Sequence, residues 1–268
     1  MSNDSPRKAI LVVLLTAVVC SSLVSAAVVI LRPIQLNNQL LDRSRNIMQL
    51  TGLLAGDEAP SDEDLLDLYR ALDVRMVDID GAVFIDDIDP NTFDKRRAAG
   101  DRELGTAVPA GEDQANLGRR SRFAPMYMVW RDNELDRVIL PIRGSGMWSM
   151  MYGFIALESD LNTIADATFY EQGETPGLGD QITRPDWLAQ WRGRQIYDSA
   201  GELRFAVSEG VVEAGSLAAL HQVDALTGAT VTADAVTSLV HYWFGPHGYR
   251  GILDHLLEQP PAGPLEDF

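Results

Sequence analysis

The sequence has almost no cysteine and few cationic side chains for its length. Cys20 is the only cysteine, so this chain alone assembles no disulfide, thiolate metal site or iron–sulfur cluster. Beyond Leu31 there are 20 Lys and Arg residues against 38 Asp and Glu residues, a net charge of −18. A domain that acidic repels polyanions, which excludes nucleic acid as a partner.

Signatures of independent catalysis are also missing. The sequence has no serine or cysteine triad pattern, no Walker loop and no dinucleotide-binding fingerprint, so we predict no catalytic residue. The histidines His221, His241, His247 and His255 show no metal-ligand spacing with a neighbouring carboxylate. Because closed metal sites need several ligands, we predict no metal site.

One long apolar run stands near the N-terminus. Residues 9–31 carry no charge and follow a stub of residues 1–8. As a helix this run spans about 34 Å, enough to cross a bilayer core. Residues 24–26 are typical of a signal-peptide cleavage site. We favour an uncleaved transmembrane helix, because signal-peptide cores are shorter and apolar residues continue past Ala26. Basic residues flank both ends of the run, so charge alone does not decide its orientation.

The rest of the chain divides into a stem, a domain and a tail. Pro33 suits a first helical position, and apolar residues recur at nearly heptad intervals through residues 32–54. We predict a juxtamembrane helical stem there, which packs on a partner or on its own domain. Residues 55–258 form the main domain. Residues 259–268 contain three prolines and are predicted to be a flexible tail.

The main domain has the composition of an α+β fold. Ser61 is predicted to cap a helix that ends near Leu72. Strand-like alternation surrounds the turn at Asp80-Gly81 and returns in later segments. Those segments are residues 123–130, 137–143 and 151–158. The polar stretch 95–122 is predicted to be a long surface loop. The fold class is therefore α+β, a single transmembrane helix followed by a domain with mostly antiparallel sheets.

Two short strings are candidates for a binding site. In the first, Asp224–Thr230, small residues precede a helical pattern that ends at Gly245-Pro246. A helix N-terminus at Thr230 suits a phosphate, and Gly228 and Ala229 allow a bulky group close to the backbone. Taken alone, Thr230 or Thr232 in such a place is more often simply a helix cap.

The second string is Glu174–Gly179, which follows a predicted strand end. Its glycines expose backbone donors and acceptors that suit the polar edge of a bound heteroaromatic ring, and Pro176 stiffens the loop. By itself, such a string is also typical of a structural turn. Trp148, Trp187 or Trp191 would be able to stack on a bound aromatic ring, although each more often serves core or surface packing.

Together these strings resemble one protein family. Asp224-Ala-Leu-Thr-Gly-Ala-Thr230 resembles the D-x-x-[ST]-G-A-T flavinylation motif, and Glu174-Thr-Pro-Gly-Leu-Gly179 resembles the second flavin loop of the same proteins. With the span, the Arg45-Asn46-Ile47 stem and the 151–158 strand, the chain resembles the NqrC family, which are subunits of the sodium-translocating NADH:quinone reductases. It departs at Gln172, where many members carry a histidine.

The resemblance implies a cofactor, its ligands and a location. FMN would be attached covalently to Thr230, within an FMN-binding region at about residues 144–245. The main domain would lie in the periplasm, anchored in a bacterial inner membrane. The other expected cofactor-binding residues are Glu174, Thr175, Gly177, Leu178, Gly179, Asp224, Thr227, Gly228 and Ala229.

The resemblance also implies partners and a role. The FMN would relay electrons from a membrane iron–sulfur centre in sister subunits to the FMN of the NqrB subunit, within a six-subunit NADH:ubiquinone reductase. A flavin transferase using FAD and magnesium would load Thr230. One alternative is the RnfG-type subunit of a ferredoxin:NAD oxidoreductase, which shares both flavin motifs. A second alternative is a non-redox membrane-anchored binding module whose threonine motif is only a cap.

Overall fold

The computed structural model describes residues 6–54 and 60–265 of the 268-residue chain. Predictions that concern residues 1–5, 55–59 and 266–268 lie outside the described residues. The elements are, in chain order, helix α1 Pro6–Leu50, helix α2 Asp62–Arg70, strand β1 Asp73–Asp78, strand β2 Val83–Ile85, helix α3 Lys95–Gly100, strand β3 Gly105–Ala107, strand β4 Arg119–Ser121, strand β5 Phe123–Arg131, strand β6 Glu134–Ser145, strand β7 Met150–Glu158, strand β8 Ile164–Glu171, helix α4 Pro185–Leu188, strand β9 Ala206–Val207, strand β10 Gln222–Val223, helix α5 Thr230–Trp243 and helix α6 Arg250–Glu258.

The N-terminal helix is exposed and apolar over its first part. Its segment Pro6–Arg32 has a mean hydropathy of 2.5, and none of that window is buried inside the protein. A core helix of similar composition would be covered by other elements. The exposed segment is therefore consistent with a single-pass membrane anchor.

Pro33 does not separate the apolar run from the stem, contrary to our expectation of a new helix there. Helix α1 continues through Pro33 to Leu50. A proline inside a helix removes one N–H donor from the backbone ladder and usually bends or breaks the helix. Here apolar and charged helix formers continue on both sides of it, and the helix persists.

A six-stranded antiparallel sheet forms the centre of the domain. Its strand order is β2-β1-β5-β6-β7-β8, and every neighbouring pair is antiparallel. The Asp80-Gly81 turn joins β1 to β2 as predicted, because the Asp78 carboxylate accepts hydrogen bonds from both turn N–H groups at 3.1 and 3.2 Å. The predicted α+β fold with a mostly antiparallel sheet is confirmed.

The sheet is covered on both faces. One face packs against α5, α6 and the chain between β8 and β10, forming the larger core. The opposite face packs against α2 and the end of α1. Ile47 and Met48 of the predicted stem are fully buried there, beside Tyr127 and Phe154 of the sheet. The last turns of the stem therefore pack on the chain's own domain.

The polar stretch 95–122 is not one long loop, and our interpretation of it was wrong. It contains the short helix α3 and the two-stranded ribbon β3–β4. Asp94 caps α3 by accepting hydrogen bonds from the N–H groups of Arg96 and Arg97. The Arg119 side chain then ties the ribbon to α3, since it donates to the carbonyl oxygens of Ala99 and Gly105. These contacts are tertiary, so sequence periodicity did not reveal them.

The helix after Ser61 and the C-terminal tail complete the domain. Ser61 caps α2 as predicted, accepting from the Asp64 N–H at 3.2 Å, and the helix ends at Arg70. In the tail, the Gly263 carbonyl accepts a hydrogen bond from Arg75 at 2.8 Å. The tail therefore touches β1, and its flexibility stays a prediction.

The packing of the stem gives a first testable prediction. Ile47→Ala should lower the free energy of unfolding by about 2–5 kcal/mol, because it leaves a cavity under a fully buried side chain. Gln49→Ala, on the exposed side of the same turn, is the matched control and should change it by about 0.5 kcal/mol or less. Denaturant unfolding of the detergent-solubilised chain measures both. Equal effects would show that the stem does not pack on the domain.

Candidate functional site

The Glu174 carboxylate joins three separate segments of the domain. It is only 4% exposed, although it carries a charge. It accepts hydrogen bonds from the Thr232 hydroxyl at 2.6 Å, from the Met147 N–H at 3.1 Å and from the Trp148 N–H at 3.0 Å. Glu174 therefore holds the 174–179 loop against the β6–β7 turn and the first turn of α5.

Hydrogen bonding outweighs burial at this carboxylate. Burial alone would raise the pKa of Glu174, but the bonds from Thr232 and from the N–H groups of the β6–β7 turn lower it below its ordinary value. The carboxylate is thus charged at neutral pH. Because buried charges need partners, the carboxylate also fixes the groups that donate to it.

Two glycines make room for this carboxylate. A Cβ atom on Gly146 would lie 2.5 Å from Glu174 Oε1, and a Cβ on Gly179 would lie 2.7 Å from the Thr232 hydroxyl oxygen. Both distances are too short for any other residue. Gly177, by contrast, has a positive φ of 77° and open space where its Cβ would be. The three glycines are therefore present for different structural reasons.

Local contacts shape the 174–179 loop further. The Gln172 side chain accepts a hydrogen bond from the Glu174 N–H at 2.5 Å, so the glutamine supports the loop at the place where many family members have a histidine. The loop then enters a short 3-10 helix, Gly179–Thr183. Thr175, Gly177 and Leu178 are exposed.

Asp224 organises the backbone before the second motif. Its carboxylate accepts a hydrogen bond from the Val212 N–H at 2.7 Å, and its own N–H donates to Gln190 Oε1 at 2.9 Å. The Trp187 indole donates to the Asp224 carbonyl at 3.0 Å. Asp224 thus acts by positioning the motif.

The two predicted strings meet in space. Gln181 Nε2 donates to the carbonyl oxygens of Leu178 at 2.8 Å and of Thr227 at 3.3 Å, so it bridges the two loops. Gly228 adopts a positive φ of 76°, and a Cβ there would lie 2.9 Å from the Leu178 side chain. The structure therefore brings together segments that are about 50 residues apart in sequence.

Thr230 is the first residue of α5, and it is exposed. The residue before the helix is Ala229, so no side chain caps this helix. The N–H groups of Thr230, Val231 and Thr232 donate to no other residue in ranges 6–54 and 60–265. The cap interpretation of the threonines was wrong, because Thr230 bonds to no first-turn N–H and Thr232 binds Glu174 instead.

A groove of about 750 Å³ opens beside Thr230. Ligand pockets in proteins typically measure about 300–1,000 Å³, so the groove has room for a ligand as large as FMN. Its lining includes Thr227, Gly228 and Asp224 of the second motif. Among the described residues of this lining the only cation is Arg184, which is already paired with Asp186 at 2.8 Å.

The three candidate tryptophans have different positions. Trp191 is fully buried and Trp187 nearly so, and the two rings pack edge to face in the core. Trp148 is 67% exposed, and its indole N–H donates to the Thr175 hydroxyl at 3.0 Å. Trp148 is therefore the tryptophan with a free face beside the 174–179 loop.

Sequence reasoning identified most of this site and missed some of its members. It did not assign a role to Gly146 or Gln181, and it considered Thr232 only as a helix cap. The glycine-rich turn before β7 was the available signal for Gly146. Nothing in the local sequence around Gln181 or Thr232 indicates that either side chain reaches the other loop.

Comparison with known proteins agrees with this geometry. Residues 146–245 match the FMN-binding domain family. The NqrC subunit of the Na(+)-translocating NADH-quinone reductase of Pseudomonas aeruginosa is 41% identical, over 95% of this chain and 97% of that protein. The same subunit of Yersinia pestis is 36% identical, over 96% and 95% of the two chains.

Solved structures give the same result. The crystal structure of Shewanella oneidensis NqrC superposes with a TM-score of 0.74 at 31% identity and covers 83% of this chain and 98% of that one. The structure of the corresponding Parabacteroides distasonis subunit has a TM-score of 0.61 at 26% identity, covering 83% and 96%. By its sequence, its fold and its FMN-binding domain match, the chain belongs to the NqrC family of Na(+)-translocating NADH-quinone reductase subunits.

Proposed function

We propose that this chain is an electron-carrying flavoprotein whose FMN is joined to the Thr230 hydroxyl by a phosphoester bond. The observation that carries the proposal is the exposed hydroxyl of Thr230 at the open N-terminus of α5, on the edge of a groove large enough for FMN. The flavinylation motif ends at this same residue.

The surroundings distinguish Thr230 from the other two threonines. Thr232 is 1% exposed and donates its hydroxyl to Glu174, so it is not accessible for modification. Thr227 is exposed but lies before the helix begins, away from the free N–H groups of the first turn. Only Thr230 combines an accessible hydroxyl with that helix end.

The charges of the groove favour a phosphoester over a free phosphate. A phosphate monoester carries nearly two negative charges at neutral pH, whereas a diester carries about one. With Arg184 already paired to Asp186, the described lining offers the phosphate no unpaired cation. The helix dipole and the three free N–H groups of α5 then suffice for a single charge.

The 174–179 loop and Trp148 are placed to hold the ring. The exposed side chain of Leu178 lies beside Gly228 of the motif, the exposed Trp148 bonds to Thr175 of the same loop, and Gln181 bonds to the Leu178 carbonyl. The backbone N–H groups of Thr175 and Gly177 donate to no other described residue and remain for the polar edge of a flavin. We expect these residues to set ring position, because attachment is supplied elsewhere.

Loading Thr230 requires a balanced phosphoryl transfer. The hydroxyl oxygen attacks the FMN phosphorus of FAD, the bond to AMP breaks, and the hydroxyl proton passes to solvent or to a base of the flavin transferase. No oxidation or reduction occurs in this step. Once bound, FMN would supply one-electron transfer between a membrane iron–sulfur centre and the FMN of the NqrB subunit.

The membrane setting follows from the anchor and the relatives. The relatives are subunits of a Na(+)-translocating NADH-quinone reductase, so we propose that this chain assembles with the other subunits of a six-subunit complex. We place its anchor in the bacterial inner membrane and its domain in the periplasm. The exposed apolar segment of α1 supports the anchor.

The attachment site gives a second prediction. After expression with a flavin transferase, peptide fragmentation should place FMN, less one water, on Thr230. Thr230→Val should abolish the adduct and still fold, because the Thr230 side chain is exposed. Thr227→Ser is the matched control and should keep the adduct, since the motif admits serine there. An adduct on Thr227 or Thr232 would refute the assignment.

The Glu174 carboxylate gives a third prediction. Because its folded-state pKa lies below the ordinary value of 4.5, its contribution to stability is complete above that pH and is lost as the pH falls further. Glu174→Gln should lower the unfolding free energy at neutral pH by about 1–3 kcal/mol and flatten this part of the acid profile. The exposed Glu209→Gln is the control and should do neither. Unfolding at several pH values measures this, and an unchanged acid profile in Glu174→Gln would contradict it.

A further inference from the structure

Lysine is almost absent from this chain. Lys8 and Lys95 are its only lysines, whereas arginine occurs at 20 positions. Lys95 is therefore the single lysine beyond the apolar N-terminal segment, in a domain of strong negative charge. It lies in the first turn of α3, outside the flavin groove.

Lys95 lines a small cavity whose wall includes residues of β5, β6, β7 and β8. The cavity measures about 40 Å³ and is partly open. Its other polar side chains include Arg96, Arg143, Tyr152 and Tyr170. A water molecule needs about 10–15 Å³ by this measure, so the cavity has room for a small polyatomic ion.

The three described cations of the cavity differ in their hydrogen-bond and ion-pair partners. Arg96 is paired with Glu171 and lies over the Tyr152 ring at 3.8 Å. Arg143 donates one hydrogen bond to the Arg119 carbonyl at 2.6 Å. The Lys95 side chain is half-buried, and its ammonium group makes no hydrogen bond or ion pair with any residue in the described part of the chain.

The surroundings repel the charge of Lys95. Burial and the positive charges of Arg43, Arg143 and Arg96 together hold its pKa well below the usual value for lysine. Glu171 is paired with Arg96, and the Asp94 carboxylate accepts from the N–H groups of Arg96 and Arg97, so neither carboxylate is paired with Lys95. An ammonium group in this position lacks the counter-charge that buried cations require.

We propose that Lys95, with Arg143 and Arg96, forms a binding site for one small oxyanion of the phosphate or carboxylate class. Such an ion accepts charge-assisted hydrogen bonds from several donors at once, and the cavity presents an ammonium and two guanidinium groups. The ion completes the cluster and balances a charge that the protein leaves unpaired. This site is separate from the flavin groove and shares no lining residue with it.

The position of the cavity favours a dissolved ion over a lipid headgroup as the source. Arg43, whose charge acts on Lys95, is 11 residues beyond Arg32, where the apolar segment ends. Along a helix that separation is about 16 Å. The headgroup layer is only about 5–8 Å thick, so an upright α1 holds the cavity above it.

Selective ¹³C labelling of lysine tests the proposal in the full chain. Only Lys8 and Lys95 give signals, and Lys8 is an internal control. Inorganic phosphate, added to the chain in neutral detergent, should raise the pKa of Lys95 and leave Lys8 unchanged, because the anion stabilises the charged ammonium. The charged groups that act on Lys95 are Arg43, Arg143 and Arg96, and Glu171 is paired with Arg96.

Three variants and a measurement in anionic lipid complete the experiment. Lys95→Met should weaken phosphate binding by roughly tenfold to a hundredfold, while the exposed Arg102→Met control should not. Lys95→Arg keeps the positive charge and should retain most of the phosphate binding. This result would show that Lys95→Met weakens binding by removing the charge and not by misfolding. Nanodiscs with anionic lipid in place of phosphate should leave Lys95 unchanged. A raised Lys95 pKa in these nanodiscs would show that the oxyanion is a lipid headgroup. If neither phosphate, acetate nor anionic lipid raises the pKa of Lys95, the proposed site does not exist.

Discussion

One buried carboxylate holds the two halves of the flavin site together. Glu174 accepts hydrogen bonds from α5 and from the β6–β7 turn, and its surroundings keep it charged. A buried charge without these donors would be costly, so the carboxylate and its donors stabilise one another. Gly146 and Gly179 are required because any Cβ would collide with this cluster. The position of the 174–179 loop beside Thr230 depends on this interaction.

The arrangement separates two tasks that a flavoprotein must perform. In the proposed site, the open end of α5 offers Thr230 for attachment, and the Glu174 loop offers exposed contacts for the ring. Neither task needs a cation, which agrees with a groove whose single described cation is already paired. The acidic character of the domain is therefore compatible with a phosphate-bearing cofactor. Membership in the NqrC family provides the biological setting for that cofactor.

Local chemistry made much of the fold and site predictable. The Asp80-Gly81 turn and the Ser61 cap depend on neighbouring residues, so the sequence indicated both. Features that depend on distant partners were not predictable. Arg119 holds the β3–β4 ribbon against α3 by a hydrogen bond to the Ala99 carbonyl. The Glu174–Thr232 hydrogen bond joins residues that are 58 positions apart. For the same reason the sequence did not distinguish Gly179, which is sterically required, from Gly177, which has open space.

The coupling between Glu174 and Thr232 is the most direct test of how the flavin site is organised. A double-mutant cycle with Glu174→Gln, Thr232→Val and both together compares their effects on the unfolding free energy. We predict an interaction energy of about 0.5–3 kcal/mol, because the two side chains share one buried hydrogen bond. Strictly additive effects of the two substitutions would show that the carboxylate does not bind α5, and the proposed organisation of the flavin site would be wrong.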